Sequence, residues 1–446
     1  MPTAEFDRLI ANAILGLDTL WGGDVMCPSG TGRFIADSWF SDESLPPAYV
    51  DPTAAPVRES GGLSAETPDV EAIDAYLAAV DVEGAIQGVR ELGPRLPGAR
   101  GAFSAGMSQC LDVMWDLAME TLDRGDPVPY SRSVEASCAR PPSASDPTDK
   151  VAAVGDLLSN AGYGADSESD LGAAVEAWRR DRLVPPATIP ALARALIAEL
   201  DAGAVANLLP YLPDEMAGVP RANVEFLPIK DAWFSGSMNY VGRERDGSGR
   251  PAYEATYELN ASLEISLPEF HELVSHEVVP GHVTTFAYVQ HLYVIDEVDF
   301  EGTVLTMNTR YSTLAEGIAN NAALIALGIT ELDQLPDPDL QIGALLSRLQ
   351  DDAKNQASFL TWGQGAEQPD VAAELRRDYL VTQERSEKLS GPWAHHPLLG
   401  RMYLPSYRAG TERVTELRRQ HEPGTILPAL YGMRGLVDVA TIDLVL

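Results

Sequence analysis

Two histidines and two glutamates carry the chemistry this sequence can support. The stretch His271-Glu-Leu-Val-Ser-His276-Glu277-Val-Val-Pro280-Gly281-His282 is followed downstream by Leu314-Ala-Glu316-Gly-Ile-Ala319. Imidazole nitrogens and carboxylate oxygens are typical ligands of zinc. Three protein ligands leave one position for water, as a catalytic site requires. In the common His-Glu-x-x-His pattern the histidines stand at i and i+4 on one helix face, with the glutamate over the bound water. Here position i+4 is Pro280, and the next histidine is His282 at i+6. On a continuous helix those imidazoles would lie about 120° apart and could not share an ion. Pro280 removes a helix hydrogen bond and clashes with the carbonyl four residues back, that of His276. Gly281 permits backbone angles closed to other residues. The sequence therefore predicts a distortion over Val279 to His282 that swings His282 back towards His276.

A third ligand is needed, and Glu316 is the candidate. Thr313 and Glu316 also have capping-box spacing, so capping a helix is the alternative role for this carboxylate. Glu277 adjoins His276 and sits about 100° around the helix from it, which suits a general base that reaches the water without occupying the metal. His271 is about 140° from His276 on the same helix and is expected at the surface or behind the ligands. His291 is expected to be structural. His395 and His396, beside Trp393, form a loop pair that could line a cleft.

These residues must be positioned by a mainly α (α+β) fold, a large helical body with a small antiparallel sheet beside the two active-site helices. Apolar residues recur at helical spacing in Met1 to Leu20, Val70 to Val89, Phe103 to Leu122, Val151 to Leu158 and Ile189 to Leu209. Between them, Leu45 to Pro68 and Asp126 to Asp149 are rich in Pro, Gly and Ser and read as loops. After Pro210 the texture changes. Asn223 to Leu227, Phe234 to Val241 and Ala252 to Leu259 favour strands, the last two joined as a hairpin through Gly242 to Pro251. Tyr257 to Ile265 is the expected sheet edge, where an extended peptide could add as a strand. A helix starts near Ser266, which has capping-box spacing to Glu269. Its apolar stripe is Leu267, Phe270, Leu273, Val274 and Val278, with His276 on the opposite side. The organisation expected is a helical region over 1–205 and a metal-binding catalytic region over 206–446, together one compact body with a cleft.

The sequence resembles a known pattern at this point. His276-Glu277-Val-Val-Pro280-Gly281-His282, followed by Glu316-Gly317-Ile318-Ala319, is similar to the domain-of-unknown-function 885 family, relatives of gluzincin-type zinc peptidases. A third piece, Ser406-Tyr407-Arg-Ala-Gly410 with Glu416-Leu417-Arg418, resembles the C-terminal segment of that family. The resemblance covers about residues 220–420. It implies a largely helical fold and a zinc ion held by two histidines and a downstream glutamate. It also offers Tyr407 as a donor to the developing oxyanion, with a core tyrosine as the alternative. Tyr403, Arg408, His395 and His396 are weaker candidates. The chain departs from the pattern at Val283, where the family often has histidine. It departs again at Ile318, where tryptophan is common, and at Tyr403, where glutamine is common.

The reading is a zinc-dependent hydrolase with one ion, a metallopeptidase acting on a peptide or small amide through a metal-activated water. Glu277 and Tyr407 are its catalytic residues. A hydrolase of non-peptide amides or esters, or a metal-stabilised binding protein without activity, are the alternatives. Composition sets the outer limits. The 446 residues are 45% hydrophobic and 22% charged, as in globular chains, and carry a net charge of −34. Such charge repels nucleic acid. No apolar run is long enough to span a bilayer, so no membrane partner is expected. The N-terminus reads as an amphipathic helix rather than a cationic leader, and the expected location is cytoplasmic. Lysine occurs only at Lys150, Lys230, Lys354 and Lys388. Scarce lysine among many carboxylates fits either solubility in concentrated salt or a GC-rich genome. Cys27, Cys110 and Cys138 lie far apart and form no CxxC pair, which suits buried thiols in a reducing compartment.

Overall fold

A computed structural model describes residues 2–23, 38–164, 168–229, 236–260 and 264–446. The N-terminal helix spans Pro2–Leu20, and Phe6, Ile10, Ile14 and Leu17, spaced by three or four, are all buried. The periodic stretch from Val70 to Val89 forms two helices, Val70–Ala79 and Val82–Leu92. Asp81 separates them by capping the second, its side chain accepting from the Gly84 amide. The other expected helices run Gly98–Thr121, Thr148–Asn160 and Ile189–Asn207.

Two stretches expected as loops contain helices. Tyr130–Cys138 lies within Asp126 to Asp149, and Pro47–Val50 and Ala54–Glu59 lie within Leu45 to Pro68. The prolines there mark helix starts rather than prevent helices. Pro129 is the N-cap of one, and Pro47 opens another, where its missing N–H costs nothing. Cys110 and Cys138 are buried free thiols, and burial pushes Cys110 up to about 12. Cys27 lies outside the described residues.

The sheet has three strands, β1 (Val224–Ile229), β2 (Gly236–Val241) and β3 (Glu254–Asn260), in the order β1-β3-β2. The hairpin between β2 and β3 is antiparallel, as expected, although Phe234 falls outside the described residues. β1, however, pairs parallel with β3, so the sheet is mixed rather than antiparallel. The expected edge is also corrected. Tyr257 pairs with Phe226 on one side and Met238 on the other, so β3 is the central strand and its backbone is not free to accept a peptide, while residues 261–263 of that stretch lie outside the described residues.

The helix Leu267–Glu277 starts at Ser266, whose hydroxyl caps the Glu269 amide at 3.4 Å and donates to the Glu269 carboxylate at 2.7 Å. Phe270, Val274 and Val278 are fully buried, whereas Leu267 is 44% exposed, so the apolar stripe begins one turn later than the sequence suggests. The main core is one cluster of buried residues running from Phe6 to Ile442. It takes Phe270 and Val274 from this helix, Leu314 and Ile318 from Arg310–Asn320, and Val414 and Leu417 from Leu404–Gln420. The last two helices cross at a pair of glycines. A Cβ on Gly410 would overlap the Thr313 carbonyl oxygen, and one on Gly317 would overlap that of Gly410. Thr313 donates to Ser406 at 2.9 Å beside the crossing. Among the described residues no helix is long and apolar enough to cross a membrane.

Candidate metal centre

The helix that carries His276 ends at Glu277, and a new helix, His282–Val294, begins at His282. Val278 leaves helical geometry (φ −112°, ψ −81°), and Gly281 (φ −75°, ψ −132°) turns the chain back. Gly281 packs so tightly that a Cβ there would overlap the His276 carbonyl oxygen. Its amide donates to Ser275 O at 3.1 Å, and the Tyr431 hydroxyl donates to Pro280 O at 2.8 Å, which pins the turn. The distortion falls where the sequence places it.

The break brings the two imidazoles edge to face, with centroids 4.7 Å apart and Nε2 atoms 3.2 Å apart. Glu316 completes the group, its Oε2 lying 3.5 Å from His276 Nε2 and its Oε1 3.5 Å from His282 Nε2. Glu316 is in the middle of Arg310–Asn320, and that helix is capped by Thr309 with Ser312. A capping role for Glu316 is therefore ruled out. Thr313 spends its hydroxyl on Ser137 O and Ser406 instead.

Ligands about 2.0–2.2 Å from one tetrahedral ion stand roughly 3.3–3.5 Å from one another, because each pair subtends the tetrahedral angle. The two Nε2 atoms are 3.2 Å apart, and each lies 3.5 Å from a different Glu316 oxygen, spacings of the size such a site needs, with one ligand atom from each residue within 4.8 Å of the others. Glu316 Oε2 is buried without a hydrogen-bond partner, an unmet acceptor that a cation would satisfy. The donor set of two imidazoles and a carboxylate suits zinc and is tolerated by manganese or cobalt.

A buried polar network orients His276. Its Nδ1 lies 2.8 Å from Asn320 Oδ1. The Asn320 amide nitrogen donates to Asp351 Oδ2 at 2.9 Å and to Thr411 at 2.7 Å, which fixes the amide so that its oxygen faces the imidazole. His276 Nδ1 must then carry the proton, and its Nε2 lone pair points at His282 and Glu316. Burial pushes His276 down to about 3, and His282 adds to the effect, so the ring is neutral. Burial opposes the charge on Glu316, but His282, His276 and the hydrogen bond from Tyr403 outweigh it and hold the carboxyl at about 2.

Glu277 makes no hydrogen bond or ion pair among the described residues, and it is half-buried. Burial raises it to about 7, with His282 and Lys354 pulling against that rise and Glu316 adding to it. Tyr407 stands beside the group without bonding to His276, His282 or Glu316. Its ring meets Tyr403 edge to face at 5.1 Å, and the Lys354 ammonium lies 3.1 Å from its centroid. Burial raises both phenols well above their ordinary value.

The remaining sequence candidates lie elsewhere. Of the two places expected for His271, the surface is excluded: the residue is buried, and burial lowers its pKa. His291 bonds Tyr253 at 3.0 Å. His396 is buried against Trp21 and bonds Ser64 at 3.1 Å, while His395 is exposed, so the pair lines no common site. Arg408 binds Glu412 and Ala144 O. Asn320, Asp351 and Lys354 are the site residues that sequence reasoning missed. They carry no motif, and only their spacing (Asp351 and Lys354 one turn apart on Pro338–Ser358) puts the last two on one face.

No family model matches the chain, and no curated protein matches it. Solved structures do share the fold. A candidate lipoprotein from Colwellia psychrerythraea superposes with a TM-score of 0.53 at 15% identity, over 84% of this chain and 61% of that one. A candidate lipoprotein of unknown function from Shewanella oneidensis gives 0.51 at 12% identity, over 96% and 82%. The chain thus spans less than two thirds of the Colwellia protein. At these identities the likeness is one of fold alone.

Gly281→Ala tests the turn directly. The added methyl must displace the His276 carbonyl, so the substitution should cost on the order of 2–4 kcal/mol, measured by denaturant unfolding. Parental stability would contradict the close approach described for this turn.

Proposed function

We propose that this chain is a zinc-dependent hydrolase, a metallopeptidase of gluzincin type related to the domain-of-unknown-function 885 family. His276, His282 and Glu316 hold the ion, and peptide or small amide is the substrate. The observation that carries the reading is the convergence of His276, His282 and Glu316, one ligand atom from each within 4.8 Å of the others, beside a half-buried Glu277 that has no partner among the described residues. A metal-stabilised binding protein has no use for a free carboxylate in that position.

Zinc bound there would lower the pKa of a coordinated water towards neutrality and polarise the substrate carbonyl. Every other part of the chemistry falls to the chain. Glu277 accepts the proton of the attacking water and delivers it to the leaving nitrogen. Asn320 keeps the His276 lone pair aimed at the ion through the Nδ1 contact. Tyr403 donates to Glu316 Oε1 and so holds one carboxylate oxygen in place. Tyr407 stays protonated beside the ligands and supplies a donor for the developing oxyanion.

Elemental analysis of the purified protein should find about one zinc per chain. His276→Ala and His282→Ala should each abolish stoichiometric binding. Asn320→Ala, which leaves all three ligands in place, should weaken zinc affinity by about 10–100-fold in a chelator competition. Full affinity in His282→Ala would show that the second ligand is misassigned.

Glu277→Gln separates the base from the ligands. It should keep parental zinc content and fold while losing about 10²–10⁴ in hydrolysis of any peptide the parent cleaves. Parental activity with normal zinc would remove Glu277 as the base. Loss of zinc would make it a ligand instead.

A further inference from the structure

In a chain of net charge −34, most arginines near the centre are matched by carboxylates or carbonyls: Arg401 with Glu120, Arg408 with Glu412, Arg348 with Asn320 O. Arg385 is the exception. It is on the short helix Gln383–Lys388, half-buried, with its guanidinium 4.7 Å over the Trp393 ring. Its Nε is buried and has no hydrogen-bond partner, and its side chain has no carboxylate partner among the described residues.

The acidic groups nearest to it are already engaged. Asp351 Oδ1 takes Lys354 at 3.3 Å, and Oδ2 takes Asn320 at 2.9 Å and Thr411 at 3.3 Å. Glu384 is held by Lys388 at 2.6 Å. Arg385 is close enough to Tyr407, Asp351 and Lys354 to interact with each electrostatically. Lys354 in turn interacts with Glu277, His276 and Glu316. Two cations thus stand close to the candidate site, Lys354 3.1 Å from the Tyr407 centroid and Arg385 within electrostatic reach of both Lys354 and Tyr407. Trp393 and Tyr407 are partly exposed in the same stretch. An unpaired guanidinium over an aromatic ring is a receptor for a planar anion, above all a carboxylate, which it can bind with two parallel N–H bonds.

We propose that Arg385, backed by Lys354, receives the free carboxylate of a substrate whose scissile amide lies next to its C-terminus. The proposal rests on the hydrolase reading and narrows it to carboxypeptidase- or dipeptidase-type substrates. In the reaction the water oxygen bonds to the amide carbonyl carbon, the C–N bond breaks, and the proton passes to the leaving nitrogen. The products are a shortened acid and an amino acid that keeps the carboxylate bound by Arg385.

The test uses zinc-loaded Glu277→Gln protein, which binds without turnover, and a short neutral peptide as the free acid and as its C-terminal amide. By calorimetry the acid should bind about tenfold or more tightly than the amide. Adding Arg385→Gln should remove that preference while leaving the amide unchanged, and Arg385→Lys should restore part of it. A third peptide, amidated but carrying an internal glutamate, separates a terminal carboxylate from an acidic side chain, and its binding like the free acid would overturn the terminal assignment. Equal binding of acid and amide, or none of either at millimolar concentration, would overturn the proposal without any variant at Arg385. Failure of the hydrolase reading looks different. The parent would then cleave no peptide, while the acid-over-amide preference and its dependence on Arg385 would persist in the zinc-free protein.

Discussion

The structure of the site depends on one close approach, that of Gly281 to the carbonyl of His276. A regular helix would carry His282 to the wrong side, and no rotamer change could recover it. Because Gly281 has no Cβ, the chain can double back on the last turn of the first helix and restart a second one at His282. The two imidazoles then meet at 3.2 Å. Arrival of Glu316 obeys the same logic at a second place. The helix that bears it can reach the histidines only because Gly317 and Gly410 let it lie against Leu404–Gln420 backbone to backbone. That second helix also delivers Tyr407, and Tyr403 just before it. Two steric permissions, both granted by glycine, thus bring five side chains to one point.

Bringing them together is expensive, since buried charge is tolerated only when it is paired or hydrogen-bonded. A chain of contacts running inward from His276 offsets part of that cost. His276 leans on Asn320, Asn320 on Asp351 and Thr411, and Asp351 on Lys354. The arrangement fixes the tautomer of His276 as well as its direction, which a lone imidazole in a cleft would not do. Around the site it leaves Glu316 Oε2, Glu277 and the Arg385 guanidinium without hydrogen-bond or ion-pair partners among the described residues. Under the proposed reading, these three mark where other molecules are expected.

Local rules explain what the sequence revealed. The break at Pro280–Gly281 follows from proline chemistry and helix geometry, and the helix start at Ser266 follows from side-chain capping; both are determined within a few residues. The hairpin between β2 and β3 is local in the same sense. What escaped was decided at long range. β1 pairs with the strand after its neighbour, which made the sheet mixed and put Tyr257 at its centre. The helix Tyr130–Cys138 was hidden by flanking prolines that serve as starts. His271 was expected at the surface or behind the candidate ligands, and its burial removes the first alternative. Asn320, Asp351 and Lys354 could not be recognised because a polar residue in a helix carries no mark of its partner. Tyr403 is instructive in another way. It was noted as a departure from the family pattern, and it is the residue whose hydroxyl contacts Glu316.

The central claim is that His276, His282 and Glu316 are ligands of one ion. The most direct measurement is anomalous diffraction from crystals of the zinc-loaded protein at the zinc absorption edge. The account predicts a single strong peak about 2.0–2.2 Å from His276 Nε2, from His282 Nε2 and from a Glu316 carboxylate oxygen. A peak at any other group of side chains, or none in protein shown to contain zinc, would contradict it.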